Sequence, residues 1–217
     1  MRKLEDAVIF MILKHANQKR KDGSPYFIHP LTVAIRILEK GYGLDYILTA
    51  LFHDLLEDTD ATEDEILTYS NTSVLEAVKL LTKTDLNKKS YIDDILANDI
   101  AKVVKAEDRI HNLQSAHTAD IGFMERYLAN TKEKYVGKFG DELDTEYAQL
   151  KALYGSLKYT YTIDTSVDGV VYRSNKDRAE IYDPERGWIE CDKYFWADLG
   201  DNAREISEKE AERLIKR

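Results

Sequence analysis

The segment from Leu44 to Thr59 constrains this chain most tightly. Apolar residues run through Ile47, Leu48, Ala50, Leu51 and Phe52. A histidine and three carboxylates, His53, Asp54, Glu57 and Asp58, then follow, with Leu55 and Leu56 between them. A surface helix keeps its charges on a face of their own. Here the leucines anchor the charged stretch to a core, so the polar groups are predicted at the end of a buried helix. The pattern predicts one helix from Leu44 to about Glu57. In a helix, residues four apart share a side, which sets His53 over Glu57 and Asp54 over Asp58. Two ligand types followed by two carboxylates suit a metal with acid/base groups beside it. A hydrogen-bonded polar patch at a helix end uses the same residues, and the segment alone does not choose between them.

Composition narrows the setting. The 217 residues suffice for one sizeable core and a small appendage, and three prolines with ten glycines favour helices over a turn-rich β fold. A net charge of −9 argues against a nucleic-acid polymer as partner. A small anionic ligand requires positive charge gathered locally. The one cysteine, Cys191, allows neither an internal disulfide framework nor a Cys-rich zinc site, which fits a reducing, cytoplasmic location. Arg2 and Lys3 precede the apolar run Ala7 to Leu13, but Glu5 and Asp6 intervene and the run is short. It reads as a buried helix rather than a signal peptide. No stretch approaches the ~18 to 20 apolar residues of a membrane span.

Around the opening segment the pattern is helical. Leu4, Val8, Met11 and Ile12 mark a helix to about Lys19, followed by the basic turn Lys19-Arg20-Lys21-Asp22-Gly23. Pro25 and Pro30 order the entry to a helix from about His29 to Lys40. Thr62-x-x-Glu65, Ser73-x-x-Glu76 and Ser207-x-x-Glu210 read as capping boxes. A short helix is predicted near Tyr91 to Ala97. The next, capped by Asp99, carries Lys105, Glu107, Asp108, Arg109, His111 and Asn112, with Asp108 and Asn112 on one face. Helices follow from about Ile121 to Phe139 and Glu142 to Leu157. The composition then changes to short β-rich runs at Tyr159 to Thr162, Val170 to Tyr172, Ala179 to Tyr182 and Trp188 to Glu190, with a turn at Asp183 to Gly187. The expected architecture is mainly α: an all-helical domain over residues 1–158, then a small β-hairpin or meander with a helix over 159–217. Trp188, Tyr194, Phe195 and Trp196 are expected to supply packing there.

Three separated segments can meet in one site: His29 in Pro25 to Pro30, His53-Asp54-x-x-Glu57-Asp58, and Asp108 in Lys105 to Arg109. Two histidines and two aspartates suit a mononuclear Mn²⁺, Fe²⁺, Co²⁺ or Zn²⁺, and the lack of thiolates weakens the case for a structural zinc. A water on such a metal becomes a nucleophile near neutral pH, and Glu57 and Asp58 can orient it or move its proton. Arg109 can reach a phosphate or pair with a carboxylate.

Taken together, these segments resemble the HD-domain phosphohydrolases, which share the split pattern His…His-Asp…Asp. Within them the chain resembles the hydrolase domains of RelA/SpoT-type alarmone enzymes and, in size, the small stand-alone alarmone hydrolases. The resemblance rests on Arg20 to Pro30, His53 to Thr59 and Lys105 to Asn112, in family order, and covers roughly residues 1 to 157. It implies an all-helical domain with a metal, usually Mn²⁺, on His29, His53, Asp54 and Asp108, and water activation by Glu57 and Asp58. It places Arg20 and Lys21 near the substrate phosphates, Asn112 on the nucleotide, and Lys105 and Arg109 on the substrate side. The implied reaction is hydrolysis of the 3′-pyrophosphate of guanosine tetra- or pentaphosphate to GDP or GTP plus pyrophosphate. A homo-oligomer is compatible with it. Glu107 and Asp22 depart from the family's pattern, and the tail from about Thr160 lies outside the resemblance. The alternatives are an HD phosphohydrolase for another nucleotide, such as a 5′-nucleotide or the 2′-phosphate of NADPH, and a catalytically silent nucleotide-binding module.

Overall fold

The computed structural model of the protein describes residues 2–85, 87–167, 170–175, 178–191 and 199–216. The chain divides into two compact units, Met1–Lys151 and Ala152–Arg217. The first is helical: α1 (Arg2–Lys14), α2 (Ile28–Glu39), α3 (Leu44–Phe52), α4 (Leu55–Asp58), α5 (Glu63–Tyr69), α6 (Thr72–Leu81), α7 (Tyr91–Leu96), α8 (Asp99–Ser115), α9 (Ile121–Lys134) and α10 (Asp141–Leu157), in whose last turns the division falls. Helices α2, α3 and α8 pack on one another, and α6 closes against α3 and α8. Phe52, Met11, Ile37, Leu51, Leu55, Ile66, Ile110 and Leu113 are fully buried among them. The apolar stripes of the sequence are therefore the core of this bundle.

The caps explain where the helices start. Thr62 and Glu65 form the expected reciprocal box at α5. Two expected starts move upstream. Asn71 rather than Ser73 caps α6, through the backbone N–H of Val74. Asn98 rather than Asp99 caps α8, through the N–H of Ala101. Asparagine accepts as well as serine or aspartate at this position, so the nearer side chain wins. Helix α1 ends at Lys14, because the chain turns there to bring Lys19 into a bridge with Pro25.

The larger departure is at the opening segment. The helix predicted from Leu44 to Glu57 is two helices, α3 and α4, separated by His53 and Asp54. In a continuous helix the carbonyl of Ala50 would accept the N–H of Asp54. Here that carbonyl accepts the His53 ring N–H at 2.7 Å, and Asp54 sits at φ −102°, ψ −3°. The stacking of His53 over Glu57 is thereby lost, and both His53 and Asp54 face the core from a helix break.

The second unit is a five-stranded antiparallel sheet in the order β4-β3-β2-β1-β5, with β1 (Thr160–Asp164), β2 (Val171–Ser174), β3 (Ala179–Asp183), β4 (Gly187–Cys191) and β5 (Ala203–Ile206). The first four strands are the expected meander. The fifth returns to pair with β1, setting Thr162 opposite Glu205. Helix α11 (Glu208–Ile215), capped by Ser207, supplies Ala211 to a small core with Val171 and Ile206, against which Tyr161, Tyr182 and Trp188 pack. Arg173 lies between the rings of Tyr159 and Trp188, at 4.3 and 4.2 Å, and pairs with Glu180 at 2.7 Å. Tyr194, Phe195 and Trp196 lie outside the described residues.

Candidate metal centre

The four predicted ligands come from three structural devices. His29 lies in the first turn of α2, His53 and Asp54 occupy the break between α3 and α4, and Asp108 lies midway along α8. Because these three helices pack together, the four side chains converge. His29 Nε2 lies 3.0 Å from Asp108 Oδ1 and 3.7 Å from Asp54 Oδ2. His53 Nε2 lies 3.0 Å from Asp54 Oδ2 and 3.8 Å from Asp108 Oδ1. Imidazole nitrogens and carboxylate oxygens thus alternate around a small ring. His29, His53 and Asp108 each offer a donor atom within 4.8 Å of the others, and all three are buried.

The donor chemistry fits a divalent cation. A carbonyl only accepts, so His53 Nδ1 carries a proton, where it meets Ala50, and Nε2 is the nitrogen left to face the carboxylates. That Nε2 is buried with no hydrogen bond, although Asp54 Oδ2 is close. Imidazole nitrogens and carboxylate oxygens facing one another in a buried ring need a proton or a metal ion between them. Burial alone would lower the His53 pKa, but Asp54 and Asp108 lift it to about 9. Burial likewise opposes ionisation of Asp54 and Asp108, yet His53 holds Asp54 well below the usual carboxylate range, and Lys105 and His29 do so for Asp108. A divalent ion with nitrogen and oxygen ligands answers the same field.

Second partners fix these ligands. Lys105 Nζ holds Asp108 Oδ2 at 2.9 Å and Asn112 Nδ2 donates to Asp108 Oδ1 at 2.6 Å, the contact that their helical spacing predicts. Half-buried Lys105 is thus tied to Asp108 while it also lines the larger of two cavities at the cluster. His29 Nδ1 meets His111 Nδ1 at 2.6 Å. Burial, then His29, pushes His111 down to about 4, so its ring is neutral and can accept the His29 proton, leaving His29 Nε2 as a ligand. The Tyr26 hydroxyl donates to Asp54 Oδ2 at 2.7 Å and lies 3.3 Å from Asp58 Oδ2. Burial and Asp54 hold that phenol protonated. Asp58 is raised by burial and by Asp54. Glu57 accepts the backbone N–H of Lys83 at 2.9 Å.

Two cavities open at the cluster. One, of about 670 Å³, is lined by Asp54, Glu57 and Asp108 together with a set of lysines. The second, of about 230 Å³, is bounded by Arg20, Lys21, Phe123 and Tyr127. Tyr26 and Asn112 line both. Arg20 Nη2 reaches Ser115 Oγ at 2.8 Å and Asn112 Oδ1 at 3.5 Å, while Lys21 Nζ stands 3.1 Å above the Phe123 ring. Asp22 also lines the smaller cavity and accepts from the N–H and hydroxyl of Ser24. Arg109 pairs with no carboxylate among the described residues. Its guanidinium is clamped between Tyr127 and Tyr135, at 4.4 and 3.9 Å, and donates to Asn130. The sequence reading passed over the lysine wall and the tyrosine clamp. Lysines spread over three segments carry no periodic signal, and Tyr127 and Tyr135 looked like core aromatics.

The helical fold brings a His/His/Asp cluster together. No family model matches the chain, but individual proteins do. It is 38% identical over 121 residues to a guanosine-3′,5′-bis(diphosphate) 3′-pyrophosphohydrolase of Aquifex aeolicus, covering 52% of this chain and 17% of that protein. It is 27% identical over 213 residues to a probable enzyme of the same name from Mycoplasma genitalium, covering 90% of this chain and 27% of that protein. The chain therefore spans at most about a quarter of the length of these relatives. A solved structure described as a metazoan ortholog of SpoT that hydrolyzes ppGpp superposes with a TM-score of 0.60 at 20% identity, covering 71% of this chain and 97% of that one.

Proposed function

We propose that this chain hydrolyses the 3′-pyrophosphate of guanosine tetra- or pentaphosphate, giving GDP or GTP and pyrophosphate, with catalysis in residues 1–158. The observation that carries the proposal is the ring of two imidazole nitrogens and two carboxylate oxygens, with its unpartnered Nε2, opening on a lysine-lined cavity. His29, His53, Asp54 and Asp108 would hold one divalent ion, manganese by preference. Bound there, the ion would lower the pKa of water and neutralise phosphate charge.

The remaining roles belong to the chain's own groups. The smaller cavity takes the guanosine, with Arg20, Lys21 and Asn112 at its edge, and the larger one takes the 3′-phosphates. Glu57 and Asp58 orient a water and take its proton, and the raised affinity of Asp58 for a proton suits that task. The water oxygen bonds to the phosphorus attached to the ribose 3′-oxygen. The bond from that phosphorus to the 3′-oxygen breaks, the 3′-oxygen takes a proton, and pyrophosphate leaves. Tyr26 holds Asp54 and Asp58 in a fixed relation, and Arg109 presents an immobilised positive charge to the phosphates.

The test is a nucleotide panel with purified protein and Mn²⁺, reading pyrophosphate against orthophosphate. Pyrophosphate released from guanosine tetraphosphate, and lost in Asp54→Ala and Glu57→Ala, supports the proposal. Orthophosphate released only from other nucleotides, or binding without turnover, overturns it.

A further inference from the structure

Four lysines on the larger cavity, Lys83, Lys89, Lys134 and Lys138, make no ion pair among the described residues. They come from separate places: Lys83 follows α6, Lys89 precedes α7, Lys134 ends α9 and Lys138 lies just beyond. Asp93 and Glu133 share the wall and do not balance them. A basic residue at a helix C-terminus complements the helix dipole, which accounts for Lys134. It does not account for amines from loops elsewhere in the sequence facing the same space. In a chain of net charge −9, unpaired ammonium groups gathered around one cavity mark an anion subsite.

We propose that these lysines form a subsite for the outer phosphate of the 3′-diphosphate, and so select a 3′-diphosphate over a 3′-monophosphate. The inference rests on the reaction proposed above and adds the residues that set its specificity. Asp108 and Asp54, proposed above to hold the ion beside the inner phosphate, line the same cavity as these lysines. The outer phosphate carries more charge than the inner one and has no ribose attached, so ammonium groups are its natural partners. The same groups hold inorganic pyrophosphate after cleavage. Exposed or half-buried lysines act through water, so this hold weakens as salt is raised.

Calorimetric titration of inorganic pyrophosphate, and separately of orthophosphate, into the metal-free full chain tests the subsite without turnover. Lys134→Ala/Lys138→Ala and Lys83→Ala/Lys89→Ala are compared with Lys151→Ala/Lys158→Ala, which removes equal charge outside the cavity. Unchanged circular dichroism confirms folding. Each cavity pair is expected to weaken pyrophosphate binding by about tenfold or more, with a much smaller effect on orthophosphate and none in the control. In turnover, the preference for a 3′-diphosphate over a 3′-monophosphate falls in parallel. Unchanged pyrophosphate binding, or equal losses for both anions, overturns the subsite. A wild-type chain that binds pyrophosphate through these lysines but leaves the alarmone intact overturns the proposed reaction instead.

Discussion

Glu107→Ala probes the scaffold that carries the metal centre. The Glu107 side chain is buried on α8 beside Asp108, and its Oε2 accepts Arg36 Nε at 2.8 Å while Oε1 meets Lys40. Arg36 lies on α2, the helix that presents His29, Lys40 caps its C-terminus, and both also reach Glu142 on α10. This network ties together the helices that supply two of the ligands. Removing one partner of a buried ion pair costs about 3–5 kcal/mol. Arg36 and Lys40 are 21% and 34% exposed and keep Glu142, so solvent screening brings the expected cost to about 2–3 kcal/mol. For a chain of this size that is a fall of about 4–12 °C in the melting temperature of the helical unit. Differential scanning calorimetry reads the fall, and a Mn²⁺ titration is expected to show weaker metal binding in the same variant. A paired replacement, Glu107→Leu with Arg36→Leu, is expected to recover part of the loss, since apolar side chains leave no unmatched charge. A Glu107→Ala melting temperature within a degree of wild type, with unchanged metal affinity, refutes the idea that this carboxylate anchors the site.

Other predictions follow from single contacts. Tyr26→Phe removes a hydrogen bond to an ionised carboxylate and is expected to lower kcat/KM by about tenfold to a hundredfold in the Mn²⁺-dependent assay; a change within about twofold contradicts the positioning role. Chelator is expected to abolish turnover, and Mn²⁺ at about 100 times its Kd to raise stability by about 2.7 kcal/mol; the same addition leaves Asp108→Asn unshifted. The Lys40 contact holds the Glu142 pKa below its ordinary value of 4.5. A folded pKa below the unfolded one stabilises above the unfolded value, and that stabilisation is lost as pH falls from 4.5 through the folded value. Glu142→Gln is therefore expected to flatten part of the acid-induced loss of melting temperature below 4.5, and parallel curves refute this.

The sequence made the candidate ligands legible because their chemistry conflicts with their surroundings. His53 and Asp54 interrupt an apolar run, and Asp108 and Asn112 are spaced to meet on a helix, as they do. The helix break at His53 was not legible, because it depends on a ring proton claiming the Ala50 carbonyl, a competition that periodicity does not register. The starts of α6 and α8 moved for a similar local reason, since Asn71 and Asn98 cap as well as the residues favoured by pattern. The meander was visible in alternating β-rich runs. The return of β5 to β1 was not, because nothing local in Ala203 to Ile206 names a partner forty residues away. The Arg109 clamp shows the same limit. Tyr127 and Tyr135, which hold its guanidinium, are brought to it only by tertiary packing.

The central claim is that a water oriented by Glu57 and Asp58 attacks the phosphorus next to the ribose 3′-oxygen. Hydrolysis of guanosine tetraphosphate in ¹⁸O-labelled water, with the products resolved by mass spectrometry, tests it most directly. The expected result is one ¹⁸O atom in the pyrophosphate and none in the GDP. Label in the nucleotide, or release of orthophosphate in place of pyrophosphate, contradicts it.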